Sequence, residues 1–351
     1  MNFNDIQSKN KNIKINNIIK DVSNPPKIKL LDNLGKEPYT FSFSDNVFCV
    51  FKSINDIIYL IYTNCNISII SYDIISNKII NEIKNAHNNY ILNLRYYFDK
   101  SNNRDLILSL SIYDNNLKLW NINNLKCILN LINVYQNGFL YSACFLNDNN
   151  NIYILVSNNN YQNSELIKVY DINGNKIKEI NDSKDDTNFI DSYYDNKLSK
   201  NYIVTANYGI IKSFDYQQNK IYHIYSDDND CEHYSIIIND KKGLINMIGS
   251  SDNGIVRIWN FHSAELINKI YVNYDELYSI CLWNDEYIFA SCSDNNIKLI
   301  DINKGVTVKD DYVGHNNCVL MVKKINHPIY GECLISQGFA GDGIKLWINE
   351  S

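Results

Sequence analysis

The sequence predicts an all-β fold, and three observations carry that expectation. Seven times a short apolar strand closes on a bulky residue, usually followed by a polar one: Tyr72-Asp73, Trp120-Asn121, Tyr170-Asp171, Phe214-Asp215, Trp259-Asn260, Ile300-Asp301 and Trp347-Ile348. The gaps between these markers are 48, 50, 44, 45, 41 and 47 residues. Between them lie β-branched and aromatic runs broken by Asn, Asp, Gly and Ser clusters, the signature of strands and tight turns. A repeat of about 46 residues is the length of one four-stranded blade. The expected architecture is therefore a single seven-bladed β-propeller of antiparallel blades.

Taken in chain order, residues 1–26 read as a polar extension ending at Pro25-Pro26, and 27–351 as the propeller. Blades are expected near 45–85, 91–135, 139–182, 188–226, 234–272, 277–313 and 317–348. The fifth is the plainest, with strands "HYSIII", "GLINMIGS", "GIVRIWN" and "ELINKIYV", and a tight turn at Asp252 and Gly254. The second repeats the pattern, with its turn at Asp114, and the sixth ends in a fourth strand near Val306 to Val313. Only four residues follow Trp347, too few for a seventh outer strand. An unpaired apolar strand would invite aggregation, so the N-terminal region is expected to close the last blade. Of two candidates, 27–31 and 39–43, the second runs directly into the first inner strand and is the one expected.

Three repeats carry more than strand signals. His87, Ser111, Asp114 and Trp120 form one set; His233, Ser250, Asp252 and Trp259 a second; His315, Ser336, Asp342 and Trp347 a third. With Gly314-His315 and the recurring Trp-polar pair, the chain resembles the WD-repeat β-propeller family over about residues 45–348. The resemblance implies a structural duty for these sets. A buried indole N–H needs an acceptor, and a Ser–His–Asp chain supplies one while tying turn to strand. Blades 1, 3, 4 and 6 lack the His, the Trp or both, and are expected to rely on apolar packing.

Composition narrows the function. Net charge is −6, and arginine occurs only at 95, 104 and 257, so no basic stripe grips a nucleic acid. The nine cysteines include no CxxC, which predicts reduced core thiols and no metal site. No Gly-rich phosphate loop, GxSxG elbow or apolar run of transmembrane length is present, so neither an enzyme nor a cofactor is expected. The start lacks a signal-peptide core, pointing to the cytoplasm, the nucleus or both. Phosphoinositide-binding relatives carry adjacent arginines, which this chain lacks; a membrane-associated propeller is the alternative reading.

A protein-interaction scaffold remains, part of a larger complex. Its expected face holds the loops joining outer to inner strands and second to third strands. Phe48, Tyr90, Leu92, Phe139, Tyr141, Phe189, Tyr278, Cys318 and Leu320 are expected at or near the channel mouth there, with Tyr113 beside them. Of these, Tyr90, Tyr113, Phe139 and Tyr141 are expected to be exposed as one patch, the kind of rigid anchor that dominates binding energy. Two loops on the same face bring Asp182, Asp185, Asp186, Asp227, Asp228, Asp230 and Glu232 together. Their expected role is an acidic rim that steers a basic peptide.

Overall fold

The structure is a computed structural model. It describes residues 24–34, 48–64, 67–136, 138–159, 164–184, 186–207, 209–227, 231–241, 243–339 and 341–350. Seven four-stranded antiparallel sheets form the blades of a propeller, and six of them follow chain order from the inner to the outer strand. The inner strands are Phe48–Lys52, Ile91–Asp99, Phe139–Asp148, Phe189–Asp195, His233–Lys241, Leu277–Leu282 and Val319–His327. Each touches the next around a central channel, and the last touches the first.

Why these residues fold into a ring is visible in how apolar surface is shared. The core divides into seven clusters, each built from two neighbouring blades. A third strand such as Ser68–Asp73 or Ile255–Asn260 is buried on both faces, because it lies between two neighbours. The outer strands are half-exposed. Lys78–Ile83 and Lys126–Leu131 contain no fully buried residue. Asparagine supplies many of the reversals, with Asn77, Asn103, Asn115, Asn149, Asn219 and Asn295 at positive φ.

The last blade is closed by Ile28–Leu34, which pairs antiparallel with Ile344–Asn349, Leu34 opposite Ile344 and Ile28 opposite Asn349. The expectation that 39–43 would do this is corrected; that segment lies outside the described residues. Only Ile28 and Leu34 of the closing strand are buried, so it has no period-2 pattern to read. Its entry is pinned by Tyr312, whose hydroxyl donates to the Pro26 carbonyl at 3.1 Å. Glu350 N–H donates to the Lys27 carbonyl at 2.7 Å. The described cysteines are all free, and all but Cys127 and Cys318 are buried.

Candidate functional site: the channel mouth

The three polar sets differ in completeness. In blade 7 the chain is whole: Trp347 Nε1–H donates to Ser336 Oγ at 2.7 Å, Ser336 lies 2.6 Å from His315 Nε2, and His315 Nδ1 lies 2.7 Å from Asp342. Burial pulls the His315 ring down to about 4, with Lys345 adding to it, so the ring is neutral. Nε2 then accepts from the serine while Nδ1–H donates to Asp342. Asp342 also accepts backbone N–H groups of Asn316 and Asn317, tying the loop to the turn.

Blade 2 builds the same chain through a different serine. Trp120 and His87 both meet Ser109 Oγ, each at 2.8 Å, and the buried Ser111 hydroxyl has no partner among the described residues. The expected role of Ser111 therefore belongs to Ser109. Register explains it: Ser109 pairs with Lys118, two residues before Trp120, as Ser336 pairs with Lys345, two before Trp347. His87 stands 4.0 Å from Asp114, which instead accepts the Asn88 and Asn89 N–H groups.

Blade 5 departs furthest. The position facing Arg257, two residues before Trp259, is Gly249 rather than a serine. A Cβ there would stand 3.3 Å from the Trp259 ring and 3.4 Å from Ile211, so packing has filled the space a serine needs. Among the described residues the buried indole N–H of Trp259 and the Ser250 hydroxyl have no partner, and His233 Nε2 faces Cys231 Sγ at 3.6 Å. Asp252 is not joined to His233 by any hydrogen bond among the described residues. An expected outcome follows. Trp120→Phe and Trp347→Phe should each cost about 1–3 kcal/mol more than Trp259→Phe, because only they break an indole hydrogen bond. Urea unfolding of the three variants decides it; equal costs would refute this assignment.

A further repeated residue escaped the sequence reading although its segments were in plain view. Two residues before the marker, Lys118, Lys168, Lys212, Arg257, Lys298 and Lys345 occupy the third strands of blades 2 to 7. Lys118 and Lys168 donate to the carbonyls of Ala86 and Val134 at 2.6 and 2.9 Å, and Lys345 does the same to Gly314. Each thereby holds the loop that leads into the inner strand of its own blade. In blade 5 the cation is Arg257, fully buried, and it reaches Asp227 at 2.6 Å; Lys269 joins at 2.8 Å. Asp227 is thus an internal ion-pair partner, and its place in the acidic rim is corrected. Asp228, Asp230 and Asp185 lie outside the described residues. Asp182 is exposed, while Asp186 accepts from Ser164.

Acidity at the mouth comes from other groups. In blades 2, 3, 5, 6 and 7 the inner strand carries a bulge near its start, at Leu92, Tyr141, Tyr234, Tyr278 and Leu320. A bulge re-aims the extra side chain. Tyr234 and Tyr278 rings lie 5.7 Å apart, and Tyr278 donates to Glu276. Asn188 donates to Glu232. Burial, then the charges of Asp252 and Glu276, push the Glu232 carboxyl up. Burial and the charges of Glu232, Glu276 and Asp252, with Tyr141 nearby, push the Tyr234 hydroxyl up. The result is a cluster of three carboxylates and three tyrosines across blades 3, 5 and 6. Below the mouth, Arg95 of blade 2 reaches Asp191 of blade 4 at 3.3 Å and the Ile190 carbonyl at 3.0 Å, spanning blade 3.

The aromatic residues separate into two groups. Tyr90, Tyr113 and Phe139 are 40%, 60% and 50% exposed and stand edge to face, with centroids 6.2 and 5.9 Å apart. Tyr141 is half-buried and Cys318 likewise. Leu92 and Tyr278 are 9% and 3% exposed, and Phe48, Phe189 and Leu320 are buried, so none of these five is an exposed anchor. Interblade packing takes three of them: Phe48, Leu92 and Phe189 belong to apolar clusters shared with a neighbouring blade.

These features define a β-propeller with an aromatic and acidic mouth. No family model matches the chain, and no curated protein matches its sequence.

Proposed function

We propose that the protein is a non-enzymatic scaffold that holds a short peptide or partner domain on the mouth face, as a subunit of a larger assembly in the cytoplasm, the nucleus or both. One observation carries this reading: the edge-to-face cluster of Tyr90, Tyr113 and Phe139, which is exposed rather than packed between blades. Such rings lose little freedom on binding and supply apolar contact. The carboxylates of Glu232, Asp252 and Glu276 add a preference for lysine or arginine in the partner. The serines that resemble nucleophiles serve the fold, since Ser109 and Ser336 are buried and joined to both an indole and a histidine.

Affinity purification with mass spectrometry tests the face. Tyr90→Ala with Phe139→Ala should cut partner recovery at least tenfold, at about 1.4 kcal/mol per decade and about 2 kcal/mol per anchor. Thermal stability should change little, because both side chains are exposed and lie outside the buried interblade core. Unchanged recovery would reject the patch. Capture of both forms by phosphoinositide vesicles would favour the membrane-associated alternative instead.

A further inference from the structure

Two of the chain's three arginines are tightly paired. Arg257 meets Asp227 at 2.6 Å and Arg104 meets Asp99 at 2.8 Å, the lengths of charge-assisted hydrogen bonds. Arg95 differs. Its contact with Asp191 is 3.3 Å long, and its Nε–H is buried without a partner among the described residues. The Asp191 side chain is 44% exposed, where those of Asp227 and Asp99 are 4% and 1%. A guanidinium and a carboxylate that satisfy each other this loosely keep bonding capacity for a ligand.

Both groups border cavities in the channel wall. One cavity of about 310 Å³ lies between blades 2, 3 and 4, and another of about 370 Å³ between blades 4, 5 and 6; they meet at Asp191 and Ser192. Each is the size of a small-molecule site. The first holds Arg95, with Tyr97 and Phe145 as a tilted ring pair 5.1 Å apart on its wall. It reaches Asn147 and Asn201, beside the turns from inner to second strand, on the face away from the mouth. The second is chiefly apolar, lined by Val204, Ile236, Ile237, Ile238 and Leu282.

Strand register puts three of these groups at one height. Leu94, Ile190 and Ile236 face Ser109, Thr205 and Gly249, which face the cations two residues before the marker in their own blades. The residues that follow, Arg95, Asp191 and Ile237, therefore share one level of the channel wall. Cys144 holds that level in blade 3; it is 1% exposed and burial pushes its thiol up, so it stays neutral. Lys323 holds it in blade 7 but lines neither cavity. One level thus offers a cation, an anion 3.3 Å from it, and an apolar recess beside the anion. A simple anion would be repelled by Asp191 and a simple cation by Arg95. A ligand that meets both needs opposite charges equally close together, as the carboxylate and ammonium on one α-carbon are.

We infer that the channel binds a free apolar α-amino acid, its carboxylate on Arg95, its ammonium on Asp191 and its side chain among Ile237, Ile238 and Leu282. The carboxylate takes Nε and Nη1 of Arg95 together as the long contact to Asp191 gives way, which pairs the orphaned Nε–H. Asp191 then receives the ammonium in exchange. The site lies below the mouth and uses none of Tyr90, Tyr113 and Phe139, so it stands or falls apart from partner capture.

Isothermal titration calorimetry on the full chain tests this with L-leucine, L-isoleucine and L-phenylalanine. At least one should bind once per chain. Its N-acetyl form, which lacks the ammonium, and its amide, which lacks the carboxylate, should each bind about tenfold more weakly or worse, the loss of one charge-assisted hydrogen bond. Arg95→Lys and Asp191→Asn should lower the affinity by a similar factor, while Lys323→Gln should leave it unchanged. Absence of binding by all three amino acids overturns the proposal. So does a capped form that binds as well as its parent, since recognition of a single charge would then suffice. The capped series needs only the wild-type chain, so it decides the matter even where a variant fails to fold.

Discussion

Ile28→Asp combined with Leu34→Asp should abolish cooperative folding. Each residue anchors a different seam: Ile28 packs with blades 6 and 7, Leu34 with blades 7 and 1. Removing a buried Leu or Ile side chain costs about 2–5 kcal/mol, and an unpaired buried carboxylate adds to that. Two such losses approach the whole stability of a domain, about 5–15 kcal/mol. Leu31, on the same strand but exposed, is the control; Leu31→Asp should leave the transition nearly unchanged. Thermal unfolding followed by circular dichroism provides the measurement. A wild-type transition in the double variant would show that the strand is dispensable.

Mild acid should unfold the protein well before most carboxylates protonate. Burial, with Lys118 adding to it, pulls His87 down to about 3; burial and Arg257 pull His233 to about 4, as burial and Lys345 pull His315 to about 4. In the unfolded chain each titrates near 6.5, so below that pH the unfolded state binds protons that the folded state refuses. Their stabilising effect is fully present above 6.5 and is lost as pH falls toward 4. Each histidine then costs about 1.4 kcal/mol per pH unit, roughly 2–3 kcal/mol by pH 4.5. Carboxylates held low by hydrogen bonds and lysines, Asp215, Asp301 and Asp342 among them, extend the loss at still lower pH. Urea midpoints between pH 7.5 and 4.5 should fall steeply, and His315→Gln should flatten the slope. A level profile would contradict neutral, buried rings.

The ring was legible because its signal is repeated in register, and repetition outweighs the weakness of any one strand. Closure was legible as a need but not as a segment. Ile28–Leu34 buries only the two side chains at its ends, so no alternation marks it, and 39–43 drew the assignment because it runs directly into the first inner strand. The serine of blade 2 was misread for a related reason: Ser109 and Ser111 share one face of the strand. Their spacing to the tryptophan would have separated them, eleven residues for Ser109 as for Ser336. The exposed trio of Tyr90, Tyr113 and Phe139 was readable because each sits at a loop or strand start on one face. Asp227 was not. Its charge looks like loop solvation until the register brings Arg257 and Lys269 beside it, 30 residues and more away.

Pairing Ile28–Leu34 with Ile344–Asn349 has a consequence for biosynthesis. The first strand of the pair leaves the ribosome roughly 310 residues before its partner, about 15–60 s at usual translation speeds of about 5–20 residues per second. During that interval the six blades between residues 48 and 313 are synthesised while Ile28 and Leu34 still lack the strand they pair with. A chaperone that shields this early strand until its partner strand emerges would raise the yield of native molecules, and slowing translation should lower it.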